Sequence, residues 1–173
     1  MKKVVLKYGL ISGAIILVSS AFWWGINGGA DMDMGAAEIS GWVSMLLALS
    51  MVYFGIRAHR MAQEDKTIRF GTGFAIGALI SLVATVVWAV GWEIMMAGQM
   101  TEFMENYGAY VISGMEADGA TVAEIAEAKA DNEYWAELFK NPFYRVLMSA
   151  SEIFPVGLLV SIGASVVESR RGA

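Results

Sequence analysis

Four stretches of the chain, residues 8–26, 39–56, 70–97 and 146–167, carry only two charged residues between them, Glu93 and Glu152. A helix needs about 20 apolar residues to cross the hydrocarbon core of a bilayer. Inside that core only a helix or a closed barrel satisfies its own backbone polar groups. These runs therefore predict an all-α, polytopic membrane protein with four transmembrane helices. The composition agrees: 57% of residues are hydrophobic and 17% are charged, where a soluble domain carries about 25% charged residues. At 173 residues the chain makes one membrane domain, 1–173, with the bilayer as its first partner.

The charges are sorted along the chain. Lys2, Lys3 and Lys7 precede the first run; Arg57, Arg60, Lys66 and Arg69 lie between the second and third; Arg170 and Arg171 follow the last. Only Lys129, Lys140 and Arg145 fall on the other side, which holds most of the acids. Basic residues favour the cytoplasmic face. The expected topology places both termini in the cytoplasm and residues 98–142 outside it, with the inner membrane as the location. No basic patch is large enough to bind nucleic acid.

Residues 1–26 have the outline of a secretory signal, with Lys2 and Lys3 ahead of an apolar run and small residues at Ser19-Ser20-Ala21. The run is long for a signal, so a retained first helix is expected. Gly9 and Gly13 form a small-xxx-small pair suited to close helix packing. Asn27-Gly28-Gly29-Ala30-Asp31 reads as a turn. Glu38 stands at the mouth of the second helix. Arg57, His59 and Arg60, at its far end, are expected among lipid headgroups. In the third helix Gly73, Gly77 and Ser81, continued by Thr85, repeat every four residues and mark a packing stripe. Trp88 and Trp92 sit near its outer end, where aromatic residues gather at a membrane interface, and Glu93 follows.

Residues 98–142 predict a helical hairpin over the outer mouth of the bundle. Met100, Phe103, Met104, Tyr107, Val111 and Met115 share one helical face. Gly119 breaks the first helix, and Thr121-Val122-Ala123-Glu124 has the pattern of a capping box opening the second. Asn141-Pro142 then punctuates the chain, with the fourth transmembrane helix expected from Phe143. Arg145, Ser149, Glu152 and Val156 fall on one face of it. Pro155 removes a backbone donor, so a kink beside Glu152 is expected. Glu152 and Arg145 are too far apart along the axis for a direct ion pair, which leaves Glu93 or Glu38 as partners for Arg145.

Six segments carry a further signal: Lys7-Tyr8-Gly9-Leu10, Gly41-Trp42-Val43-Ser44-Met45, Ile68-Arg69-Phe70-Gly71, Gly91-Trp92-Glu93, Asn141-Pro142-Phe143-Tyr144-Arg145 and Glu152-Ile153-Phe154-Pro155-Val156-Gly157-Leu158. In this order the chain resembles a bacterial membrane-protein family catalogued as domain-of-unknown-function family 4199. Asp65-Lys66-Thr67 departs from it, standing where glycine is expected. The resemblance implies a four-helix inner-membrane protein and carries over no catalytic residue.

An ionisable residue within a membrane helix is costly, by about 2.5–3.5 kcal/mol or more at the bilayer centre, and marks a candidate functional site. Glu38, Glu93 and Glu152 approach the outer half of the membrane from three helices. Their convergence, with Arg145 as counter-charge, makes a candidate ion or proton site; a purely structural polar cluster is the competing reading. With no cysteine and a single histidine, no thiol nucleophile, disulfide or multi-histidine metal site is available. No cofactor signature and no catalytic motif stand out, so an enzyme is not expected. Two functions remain: a small ion- or proton-handling transport protein, expected as a homo-oligomer, and an accessory membrane subunit whose acidic extracytoplasmic cap binds a protein partner.

Overall fold

The computed structural model describes residues 1–26 and 33–171 and contains six helices: α1 (Lys2–Ile26), α2 (Met34–Met61), α3 (Phe70–Met95), α4 (Met100–Ala117), α5 (Val122–Leu138) and α6 (Pro142–Arg170). The turn expected at 27–31 lies outside the described residues. Four of the helices, α1, α2, α3 and α6, are long and apolar enough to cross a membrane. No strand occurs among the described residues.

The helices outrun their apolar cores because polar residues at the ends cap them. The Asp33 carboxylate accepts from the N–H groups of Gly35 and Ala36 at the start of α2. Asn141 accepts from the Phe143 N–H at 3.0 Å, and Pro142 occupies the first turn of α6, where a missing N–H costs nothing. At α5 the expected capping box is present. The Glu124 N–H donates to the Thr121 hydroxyl, and the Glu124 carboxylate accepts from the Thr121 N–H and hydroxyl. Those bonds, the backbone one first, hold the Glu124 carboxyl below the usual range. Gly119, at φ +80°, ends α4, with the Ala120 N–H returning to the Met115 carbonyl and the Gly119 N–H to that of Glu116. Pro155 does not end α6, which runs as one helix through it.

A ladder of small residues joins α3 to α6. Gly73 faces Ser165, Gly77 faces Ser161 and Gly157 faces Ser81, in antiparallel register. A Cβ built on Gly77 would stand 2.6 Å from the Ser161 Oγ, so the helices are as close there as glycine permits. The buried hydroxyls do not reach across. Ser81, Ser161 and Ser165 each donate to the carbonyl four residues earlier in their own helix. Gly9 and Gly13 pack on Val83 and Val87 of α3, setting α1 parallel to it. Ser12 of α1 donates to the Ala48 carbonyl of α2 at 2.7 Å. The core between these seams holds Leu49, Val52, Ile56, Ile76 and Ile80.

The outside is as apolar as the inside. Val18, Phe22, Leu46, Leu47, Val90 and Leu159 are exposed. A water-soluble bundle buries its large hydrophobic residues and shows charge outward; here small and hydroxyl residues fill the tightest seam while leucine and valine face out. That distribution suits a lipid surround and agrees with a multi-pass membrane protein. The α4–α5 hairpin differs, since neither helix has a buried residue.

Candidate functional site

A cavity of about 490 Å³ lies between all four long helices and α4. Ile16 and Ser20 of α1, Ser44 and Met45 of α2 and Ile153 of α6 are among its lining residues. Seven of its nineteen lining residues are aromatic. Trp23 and Trp24 come from α1, Trp42 from α2, and Trp88 and Trp92 from α3. Phe103 and Tyr107 reach it from α4. The rings are in mutual contact: Trp88 and Trp92 centroids are 5.3 Å apart, and Trp92 meets Phe103 nearly edge-on at 5.6 Å. Phe103 also touches Trp24 and stacks with Tyr107. The hydrophobic face anticipated on α4 is thus seated, at its N-terminal end, against α1 and α3.

Two carboxylates line this cavity, Glu38 and Glu152. Neither has an ion-pair or hydrogen-bond partner among the described residues. Glu152 owes its position to helical phase. The α6 residues facing α3 step by four through Ile153, Gly157, Ser161 and Ser165. Glu152 sits one residue before Ile153, about 100° around the helix, and so turns away from the ladder into the cavity.

Glu93 does not join them. It forms a bidentate pair with Arg145, whose Nε and Nη2 donate at 2.7 and 2.6 Å. The remaining Arg145 nitrogen donates to the Phe139 carbonyl. The cause lies in the ladder: continued four residues at a time past Ser81 and Gly157, it brings Glu93 opposite Arg145. A planar guanidinium fits a carboxylate in this two-bond geometry. Among the described residues no group of three or more His, Cys, Asp or Glu side chains is placed to hold a metal ion. Of the four candidate residues, Glu38 and Glu152 share the cavity lining, while Glu93 and Arg145 pair with each other outside it and clamp α3 to α6.

A second clamp, at the opposite end of α6, was not expected. Glu168 is fully buried, and its Oε2 accepts from the Arg60 Nε at 2.6 Å. Arg60, expected among headgroups, is 8% exposed. It also donates to the Lys66 carbonyl at 3.0 Å. Arg171 donates to the other Glu168 oxygen at 3.4 Å and to the Tyr53 hydroxyl at 2.7 Å. The sequence signal lay in spacing: Glu168 continues the phase of Ser161 and Ala164 onto the buried side.

Between α4 and α5 runs an open groove of about 740 Å³. Its floor includes Met104, Ala109, Ile112 and Ala136; Glu105, Glu116 and Glu133 stand along it with Lys129 and Lys140.

The family described as "Protein of unknown function (DUF4199)" matches residues 7–168, and the chain belongs to that family. No curated protein and no solved structure matches it.

Proposed function

From membership of a family of unknown function, we propose that the chain is an integral protein of the bacterial inner membrane that handles a proton or a cation in the Glu38/Glu152 cavity. Both termini are assigned to the cytoplasm, and the cavity and hairpin to the outer half. One observation carries the reading: two carboxylates with no described partner share a cavity to which every long helix contributes. The more buried carboxylates Glu93 and Glu168 are paired, whereas Glu38 and Glu152 are exposed and border the cavity. A calcium-like ion takes six to eight oxygen ligands. Two carboxylates fall short of that, so the reading favours a proton or a weakly hydrated cation. Four helices enclose little pathway alone, and a homo-oligomer is the expected working form. No catalytic step is assigned.

The test is flux. Purified protein in liposomes with a trapped pH-sensitive dye should pass protons or exchange them for a cation under a membrane potential. Glu152→Gln keeps the side-chain shape and should abolish the signal, while Glu137→Gln on the exposed face of α5 should not change it. Equal flux from native protein and Glu152→Gln would retire the proposal.

A second reading rests on the α4–α5 hairpin, where residues 98–142 carry nine acids against Lys129 and Lys140, although the open groove itself is lined by three acids and three bases. It makes the hairpin a docking surface for a membrane-protein partner with a basic segment. Under that reading a charge reversal at Glu105 and Glu133 abolishes association and leaves the cavity variants silent.

A further inference from the structure

We infer that the ligand of the cavity is a small organic cation, of the quaternary ammonium or arylalkylammonium class, held between indole faces and the Glu38 and Glu152 carboxylates. The inference rests on the cavity being a ligand site, as proposed above, and adds the chemistry of what enters it.

The wall composition points there. Five of the six tryptophans of the chain line this one cavity, Trp135 alone lying elsewhere. Tryptophan is the strongest of the aromatic side chains in attracting a cation to its ring face. An interfacial tryptophan belt would place its rings around the perimeter at headgroup level. Here Trp88, Trp92, Trp24 and Phe103 are in contact across three helices, and Phe103 comes from α4, which with Glu102, Glu105 and Glu116 is too polar to be a membrane span. They form a lining.

The polar groups narrow the class. Two carboxylates exclude an anion and favour positive charge. The lining also carries the hydroxyls of Ser20, Ser40, Ser44 and Tyr107, of which Ser40 donates to the Ala37 carbonyl. A strongly hydrated ion would exchange its water shell for a wall in which seven side chains are aromatic. A quaternary ammonium has no N–H to satisfy, sheds water easily and presents methyl groups to indole. Aromatic walls combined with nearby carboxylates compensate such a charge. The volume, about 490 Å³, is in the range of sites for small molecules.

The experiment is a binding titration on the full chain in a maltoside detergent, since a phosphocholine detergent would itself supply the proposed headgroup. The probe is benzyltrimethylammonium, and its control is neopentylbenzene, the neutral compound of the same shape. Tryptophan fluorescence should change saturably with the cation, at least tenfold more tightly than with the neutral compound. Glu152→Gln should weaken the cation at least tenfold, and Trp92→Leu several-fold. Trp135→Leu should leave both values unchanged. Equal affinity for cation and neutral isostere would overturn the inference, as would unchanged cation affinity in Trp92→Leu. If that variant does not fold, the two-probe comparison on the native chain decides by itself. Cation binding without flux would retire the transport reading and keep the ligand. Flux without preference for the cation would do the reverse.

Discussion

At the scale of single residues, the two Arg–Glu pairs separate what spacing makes visible from what it hides. Arg145 and Glu93 lie near the ends of two apolar runs, and their pairing was one of two options open to the sequence. Arg60 and Glu168 were missed because charge at a helix end normally reads as solvated, and the two lie 108 positions apart. Removing one member of a buried pair strands the other charge and costs about 3–5 kcal/mol, whereas replacing both with apolar residues of similar volume is often neutral. Glu168→Leu alone should therefore sharply lower thermal stability in detergent, and Arg60→Met with Glu168→Leu should recover most of it. Equal losses in single and double variants would show that the pair is not coupled. Lys66 belongs to the same region. It has a left-handed backbone (φ 52°) and presents the carbonyl that Arg60 uses. It lies in the Asp65-Lys66-Thr67 turn, which stands where the family resemblance leads one to expect glycine. An αL conformation costs a non-glycine residue roughly 1–2 kcal/mol. Lys66→Gly removes that strain but loosens the unfolded chain, so a net gain of about 1 kcal/mol or less is expected, read as a higher melting temperature.

At the scale of elements, the helices were legible and their contacts only partly so. Apolar runs fixed the number and order of the long helices; Gly119 and the Thr121–Glu124 box fixed the break in the hairpin. The stripe Gly73/Gly77/Ser81 was visible because a four-residue repeat of small residues has few uses other than close approach. The matching stripe on α6 was not. Glu152 drew that face one residue out of phase, and a proline inside a helix diverts attention from the small residues that follow it. The stripe gives a sharp expectation. Gly77→Leu must displace Ser161 and Val52 and should destabilise the protein by about 1–3 kcal/mol through overpacking. Gly163 has nothing within 4 Å of the position a Cβ would take, and it should accept alanine with a gain of about 0.5–1 kcal/mol. Similar melting temperatures for the two variants would remove the ladder as a source of stability.

For the whole molecule, the arrangement of charge predicts orientation. The ends of the bundle differ: one gathers the N-terminal lysines, Arg57, Arg69 and the C-terminal arginines, and the other carries the acidic hairpin. Reporter fusions after residues 65 and 120 should show the first as cytoplasmic and the second as external. An external reporter active at 65 would invert the topology, and with it the outer-half assignment of the cavity. The cavity was half legible. Its carboxylates stood out as charges inside or at the mouth of apolar runs. Its aromatic lining did not, because tryptophan near a helix end has an ordinary explanation at the membrane surface. The contacts that Phe103 of α4 makes with Trp24 of α1 and Trp92 of α3 show those rings turned towards one another.

The uniform step of the α3–α6 ladder makes it behave as a vernier scale without numerals. Advancing α6 by one rung would set Gly77 opposite Ser165, Ser81 opposite Ser161 and Thr85 opposite Gly157, so small residues would still meet small residues. Sterics therefore discriminate poorly between neighbouring settings. The rungs that cannot be exchanged are the charged ones. The same advance would pull Arg145 off Glu93 and, at the other end, Glu168 off Arg60. The native alignment of this helix is thus indexed by two electrostatic detents, one at each end of an otherwise permissive slide.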